Sequence, residues 1–161
     1  MDELHRAYLS LGSNIEPETY LPKAIQSLRQ YGEVWGISSI WESHAVGSEG
    51  PNFLNACVLF HTGLGAHDLK ETAIRQIEAK LGRVRTADKN SPRTIDIDIL
   101  LFDDEPLNIE FWDYAFVVLP LAELIPDFIH PVREGRLSQV AEHVKAQTWI
   151  VKREDVSLLS S

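Results

Sequence analysis

Residues 95–102, Ile-Asp-Ile-Asp-Ile-Leu-Leu-Phe, form the stretch that decides the fold. The isoleucines alternate with aspartates, as they do in a β-strand with one face in the core. Asp96 and Asp98 then share the opposite face. Aspartate is disfavoured in strands, so two of them on a half-buried strand need a neutralising partner. The pattern predicts a strand whose two carboxylates bind a divalent cation; its alternative is a solvated strand face.

The loop before this strand is basic, although the chain carries a formal net charge of -9. Its cations are Arg83, Arg85, Lys89 and Arg93, opposed only by Asp88. Guanidinium groups grip phosphate oxygens in pairs, and Mg²⁺ shares its ligand shell between carboxylates and phosphates. A basic loop can also be simple surface. Next to the aspartate strand, it predicts a triphosphate site.

The periodicity predicts an α+β fold with a ferredoxin-like βαββαβ core, additional strands and a C-terminal helix. The order is strand, helix, strand, strand, helix, strand. The predicted elements are a strand ending at Gly12-Ser13-Asn14, a helix from Pro22 to near Gly32, strands at 34–43 and 53–61, a helix capped by Asp68 and Glu71 and ending at Gly82, the aspartate strand, a strand at 116–119, a turn at 120–125, and a helix carrying Leu137, Val140, Ala141 and Val144.

Composition limits the class of protein. A chain of 161 residues with 44% hydrophobic residues suits one domain, residues 1–161. Its one cysteine, Cys57, has apolar neighbours and reads as a buried thiol in a reducing, cytoplasmic setting. No apolar run approaches the roughly 20 residues of a membrane span, and the start of the chain has no apolar signal region. The acidic balance argues against nucleic acid as a partner. A monomer and a homodimer are both compatible with the sequence.

Four segments resemble the 6-hydroxymethyl-7,8-dihydropterin pyrophosphokinase family of folate biosynthesis. The strongest is residues 92–99, Pro-Arg-Thr-Ile-Asp-Ile-Asp-Ile. Residues 7–14, Ala-Tyr-Leu-Ser-Leu-Gly-Ser-Asn, are similar to the family's first strand and turn, and residues 50–56, Gly-Pro-Asn-Phe-Leu-Asn-Ala, to its pterin-binding strand. Residues 77–85 are similar to its helix end and loop. The segments follow in the family's order over nearly the whole chain.

The resemblance implies an ATP-dependent diphosphotransferase. Its reaction moves pyrophosphate from ATP to the hydroxymethyl group of the dihydropterin and releases AMP. Two Mg²⁺ ions on Asp96 and Asp98 would neutralise charge and align the attacking hydroxyl. The resemblance also implies residues that contact the phosphates and the nucleotide. Lys89 is the weaker cation among them, because an ammonium does not offer the paired donors of a guanidinium. Glu78 has an alternative interpretation as a solvated helix carboxylate. The contacting residues are Glu78, Arg83, Arg85, Lys89 and Arg93.

The same resemblance implies a pterin site. Phe53 and Phe116 match stacking positions, although core packing is the alternative for each phenylalanine. Asn55 matches an amide that reads the pterin edge, because it can donate and accept at once. Ser43 and Val46 fall in the loop that completes the pocket. His44 and His130 have no spacing that suggests metal ligation and read as ordinary polar residues.

Residues 108–116, Asn-Ile-Glu-Phe-Trp-Asp-Tyr-Ala-Phe, depart from the family pattern. Family members carry a Pro-His-Pro-like segment and a following arginine here, which help to bind ATP. This segment is shorter and has no histidine or arginine, with Tyr114 where the arginine is expected. Asn90 and Thr86 likewise replace a tryptophan and a lysine in the basic loop.

Three functions therefore fit the sequence. The first and favoured one is a pyrophosphokinase that works despite the altered segment. The second is a catalytically weak homologue that binds a pterin or a nucleotide. The third is a related pyrophosphotransferase with a different acceptor alcohol or a partner subunit.

Overall fold

A computed structural model describes residues 3–46, 50–84 and 92–158 of the chain. It contains a seven-stranded sheet in the order β6-β5-β1-β4-β3-β7, with β2 also pairing with β4. All the strand pairs described are antiparallel. The strands are β1 (His5–Ser13), β2 (Glu33–Ile37), β3 (Ile40–Ser43), β4 (Phe53–Thr62), β5 (Asp96–Phe102), β6 (Glu105–Pro106) and β7 (Ile150–Arg153).

Helices cover both faces of the sheet. Their bounds are α1 (Pro17–Leu28), α2 (Ala66–Asp68), a π-helical segment (Leu69–Ile74), α3 (Arg75–Lys80), a 3₁₀ helix (Ile109–Asp113), α4 (Ala115–Leu124) and α5 (Leu137–Lys145). The order β5-β1-β4-β3 within this frame is that of a ferredoxin-like core, and the α+β prediction is confirmed. In the described residues no helix combines the length and apolarity required to cross a membrane.

Alternation along β1 and β5 divides the core into two layers. Leu9 and Ile97 belong to a buried cluster with the apolar faces of α1 and α3. Tyr8 and Leu100 belong to a second cluster with α4 and α5. Because side chains alternate along a strand, Asp96 and Asp98 share the face opposite Ile97, as the sequence predicts, and this face is the α4 and α5 side.

Three predicted boundaries are wrong. The first helix begins at Pro17, not near Pro22, because Pro17 occupies its first turn. The predicted strand at 34–43 is two strands, since the Ser38 hydroxyl accepts the backbone N–H of Cys57 at 2.8 Å and interrupts the ladder. The second helix begins at Ala66 after Gly65, without a side-chain cap from Asp68.

The largest error concerns residues 116–125. The predicted strand at 116–119 and turn at 120–125 form helix α4, and Phe116 therefore lies on a helix. Residues 117–121 are buried on all sides, and a short apolar run surrounded by protein has no period that separates a helix from a strand. Strand β7 was not predicted, whereas the helix over 137–145 and the helix end at Gly82, where φ is +85°, are confirmed.

Candidate active site

A cavity of about 610 Å³ opens on the sheet face that also carries α4 and α5. Strands β1, β3, β4 and β5 form its floor, and α3 and α4 contribute its walls. Every predicted site residue within the described ranges lines this cavity. They are Ser43, Val46, Phe53, Asn55, Glu78, Arg83, Arg93, Asp96, Asp98 and Phe116.

Strand register places the two predicted subsites side by side. Gly12 on β1 pairs with Asp96 on one side and with Asn55 on the other, and Ser10 pairs with Asp98. A Cβ atom at Gly12 would lie 2.5 Å from Nδ2 of Asn55. Glycine therefore gives the Asn55 amide its space between the carboxylates and the rest of the floor.

Charged groups at the β5 end of the cavity are bonded to one another. Glu78 is 4% exposed, and its Oε2 accepts the backbone N–H of Ile97 at 3.0 Å and Nη1 of Arg83 at 2.6 Å. Arg83 Nη1 also donates to Asp96 Oδ1 at 2.9 Å, and Arg93 Nη1 to Asp96 Oδ2 at 3.3 Å. Glu78 is thus a buried link between α3 and β5, and its alternative interpretation as a solvated helix carboxylate is wrong.

Within this cluster, the pKa of Asp98 is the one that is clearly raised. Burial, together with the charges of Asp96 and Glu78, raises its pKa to about 7, and Arg83 only partly opposes the rise. In the described part of the chain, no group of three or more His, Cys, Asp or Glu side chains is arranged to hold a metal. Two adjacent carboxylates instead fit a hard cation that takes its remaining ligands from water and a bound phosphate.

Unpartnered polar atoms mark the other end of the cavity. Asn55 is 5% exposed; its Nδ2 is 3.5 Å from the carbonyl of Leu11, and its buried Oδ1 has no hydrogen-bond partner among the described residues. The buried Oγ of Ser43 also lacks one. Since buried polar groups are normally paired, these atoms suit a ligand with an amide-like edge.

Aromatic rings form the wall contributed by residues 109–117. Tyr114 stacks on Phe116 with ring centroids 4.9 Å apart and planes 14° apart. Phe111 and Val117 complete this part of the lining, so no charged side chain of the wall faces the cavity. Phe53 contributes a further ring from β4. The rings fit a flat heterocycle, and the wall offers phosphate no cation.

Asn14, at the turn after β1, is hydrogen-bonded to two loops. It is 3% exposed; its Oδ1 accepts the backbone N–H of Arg93 at 2.8 Å, and its Nδ2 donates to the carbonyl of Pro51 at 3.2 Å. Arg93 and the start of β4 are thereby held together. The predicted phosphate ligands Arg85 and Lys89, and the replacements Thr86 and Asn90, lie outside the described residues.

The two histidines differ in placement. His130 is 3% exposed, and its Nδ1 accepts the backbone N–H groups of Val132 and Arg133 while Nε2 donates to the carbonyl of Trp112, so it is a structural residue. His44 lines the cavity and stacks on Trp149 with centroids 4.4 Å apart. Burial of Cys57 raises its thiol pKa, as expected for an inert cysteine.

Two cavity-lining cations were missed from the sequence. Lys70 and Arg75 both face the cavity, from the π-helical segment and the first residue of α3. Residues five apart lie about 140° apart around an α-helix, so the sequence pattern separates them. The π-helical segment has no signal in the hydrophobic pattern, and only the structure brings them together.

Paired carboxylates that can hold a metal ion, beside arginines that can bind phosphate, are groups that enzymes use to transfer phosphate groups. Comparison with known proteins narrows this class. Residues 8–126 match the family model for 7,8-dihydro-6-hydroxymethylpterin-pyrophosphokinase. The chain therefore belongs to this family.

Curated relatives extend over most of the chain. The 2-amino-4-hydroxy-6-hydroxymethyldihydropteridine pyrophosphokinase of Bacillus subtilis is 42% identical over 130 residues, which cover 73% of this chain and 77% of that protein. The enzyme of the same name from Aquifex aeolicus is 38% identical over 142 residues, covering 82% and 88%. The one from Synechocystis is 33% identical over 153 residues, covering 88% and 77%.

Solved structures agree on the fold. The wild-type HPPK-DHPS protein of Plasmodium falciparum, with pteroate, aligns with a TM-score of 0.67 at 13% identity, covering 91% of this chain and 43% of that one. The same protein with pterin and p-hydroxybenzoate has a TM-score of 0.68 at 14% identity, covering 91% and 44%. The chain spans less than half of these structures, and at this identity the likeness concerns the fold alone.

Proposed function

We propose that the chain is a 2-amino-4-hydroxy-6-hydroxymethyldihydropteridine pyrophosphokinase, which transfers pyrophosphate from ATP to 6-hydroxymethyl-7,8-dihydropterin and releases AMP. One observation supports the proposal beyond family membership. Asp96 lies across Gly12 from Asn55, whose amide oxygen has no hydrogen-bond partner among the described residues, and Asp98 follows two residues further along β5. A phosphate-handling subsite and a heterocycle subsite thus share one cavity.

Asp96 and Asp98 are the ligands we assign to Mg²⁺, with two ions expected. The raised pKa of Asp98 supports this assignment, because a divalent cation would relieve the repulsion among Asp98, Asp96 and Glu78. When bound, the metal would neutralise phosphate charge and orient the triphosphate.

Arg83 and Arg93 would bind phosphate oxygens. Both guanidinium groups now contact Asp96 and lie beside the carboxylates that would hold the metal. Glu78 would keep Arg83 in position at its 2.6 Å contact. We assign the same phosphate-binding role to Arg85 and Lys89, which follow in the loop.

The pterin would lie between aromatic and amide contacts. Phe53 and Phe116 would contact its ring, and Asn55 would pair with its amide-like edge. The unpartnered Ser43 hydroxyl and the exposed Val46 would complete the subsite. A pterin held this way would share the cavity with the aspartates on the other side of Gly12, which its hydroxymethyl group would have to approach for transfer.

The test incubates the protein with ATP, Mg²⁺ and 6-hydroxymethyl-7,8-dihydropterin and follows all products by mass spectrometry. Equal amounts of AMP and pterin diphosphate are expected. ADP with a pterin monophosphate would contradict the proposed reaction. Binding of the pterin without turnover would favour the binding homologue, which the uncharged wall of residues 109–117 makes the second candidate.

A further inference from the structure

We infer that Lys70 and Arg75 bind the triphosphate of ATP and supply positive charge that the aromatic wall at residues 109–117 lacks. This inference rests on the proposed function and adds two residues to its nucleotide subsite. Both side chains line the same cavity as the aspartate pair. Neither belongs to the basic loop that the sequence singles out.

The π-helical segment places the side chains of Lys70 and Arg75 on the same side of the helix. The backbone N–H of Arg75 donates to the carbonyl of Lys70, an i→i−5 bond. In such a turn the residue five positions on takes the place that i+4 has in an α-helix, on the same side, whereas an α-helical turn would separate the two by about 140°. Lys70 and Arg75 therefore project to one side of the helix, and Arg75 lies three residues before Glu78.

The charge of the described cavity lining favours a phosphate-binding role for these two cations. Arg83 and Arg93 are bonded to Asp96, and Arg83 also to Glu78, so carboxylates offset their charge. ATP brings a triphosphate of high negative charge into this space. Lys70 and Arg75 are the two other described cations of the lining.

Arg75 keeps donors available for a ligand. Its Nε lies 2.9 Å from Oε2 of Glu71, one helical turn earlier. A guanidinium carries five N–H donors, so this contact leaves the terminal nitrogens able to grip phosphate. The pair is about half exposed, with side-chain exposures of 48% for Arg75 and 39% for Glu71, and a contact of that kind is weak.

The experiment measures steady-state kinetics of Lys70→Gln, Arg75→Gln and the double variant, with Lys80→Gln as the matched control. Lys80 is exposed on the same helix and does not line the cavity. Each single change should raise KM for ATP about tenfold, the loss of one charge-assisted hydrogen bond, and leave KM for the pterin within about twofold. Arg75→Lys, which keeps the charge but not the paired donors, should recover only part of the loss, and Lys80→Gln should have no effect.

A shared rise in both KM values, or an unchanged KM for ATP in the double variant, would overturn the inference. If the wild-type protein forms AMP and pterin diphosphate while the double variant matches it, this inference alone fails. If the wild-type protein forms no product, the proposed function fails, and calorimetric Kd values for MgATP decide the inference by the same comparison. Thermal melts of the double variant should match wild type, since both side chains are exposed.

Discussion

The cavity has two walls of opposite chemistry. At the β5 end, Glu78, Arg83, Arg93 and Asp96 form a network of charged contacts between 2.6 and 3.3 Å. Along residues 109–117 the lining is aromatic and aliphatic, with Tyr114 stacked on Phe116. The first wall is built from segments whose sequence resembles the family pattern, and the second from residues 108–116, which do not resemble it.

The two walls therefore suit different parts of a ligand: the β5 end suits charged groups, and the aromatic wall suits a flat ring. The β5 end can neutralise phosphate and metal, and the aromatic wall can only offer surface to a ring or a ribose. Besides the cations of the basic loop, Lys70 on the π-helical segment and Arg75 at the start of α3 are the residues that we propose to add positive charge. Four predictions test the division of labour between the two walls.

The largest effect is expected at the aspartates. Asp96→Ala or Asp98→Ala should lower kcat by about a thousandfold or more, because each removes a ligand of the proposed metal. Product formation measured at saturating ATP and Mg²⁺ checks this. Asp127→Ala, at an exposed position outside the cavity, is the control and should be silent. Full activity in Asp96→Ala or Asp98→Ala would contradict the assignment of these aspartates as metal ligands.

In the metal-free protein, the raised pKa of Asp98 should make the free energy of unfolding depend on pH. Its pKa is about 7 in the folded protein, against about 4 when unfolded, so the folded state holds an extra proton between these values. The free energy of unfolding should therefore fall as the pH rises from about 4 to about 7.

Asp98→Asn should remove the pH dependence of the free energy of unfolding that comes from this carboxyl. In EDTA at pH 8 the variant should be more stable than wild type by about 4 kcal/mol, and at pH 4 the two should be nearly equal. Urea unfolding at both pH values measures the difference. Parallel pH profiles for the two proteins would mean that Asp98 is not strained by its neighbours.

Gly12→Ala probes the boundary between the subsites. The new methyl group would lie 2.5 Å from Nδ2 of Asn55 and displace this amide. KM for the pterin should rise about tenfold, with a small change in KM for ATP. Gly63→Ala, where a Cβ would have no atom within 4 Å, is the matched control. Equal changes in both KM values would show a general disturbance of the floor.

The smallest effect is expected on the aromatic wall. Tyr114→Phe keeps the ring that stacks on Phe116 and removes only the hydroxyl. Both KM values and kcat should change by less than about twofold, whereas Tyr114→Ala should raise KM for the pterin by about threefold through loss of the stack. A large loss in Tyr114→Phe would give the phenol a role in handling charge and break the comparison.

Much of the fold and site was accessible from the sequence for physical reasons. Period-two alternation at Ile95, Ile97 and Ile99 fixes the side of the sheet on which the aspartates lie. Helix α4 was misassigned, since an apolar run buried on all sides carries no period. Lys70 and Arg75 escaped notice because α-helical spacing does not bring together residues five apart.

Other features depend on contacts distant in sequence. The burial of Glu78 follows from its bond to the backbone N–H of Ile97, 19 residues further along the chain. The role of Asn14 depends on Arg93 and Pro51, neither of which is close to it in sequence. Such contacts become visible only when the strands are in register.

The most direct test of the central claim follows the β-phosphorus of ATP. The protein is incubated with Mg²⁺, 6-hydroxymethyl-7,8-dihydropterin and ATP that carries its label on the β-phosphate, and the products are separated. Pyrophosphate transfer predicts that the label moves to the pterin and that unlabelled AMP is released. Label retained in ADP would contradict the account, because it would show attack at the γ-phosphorus.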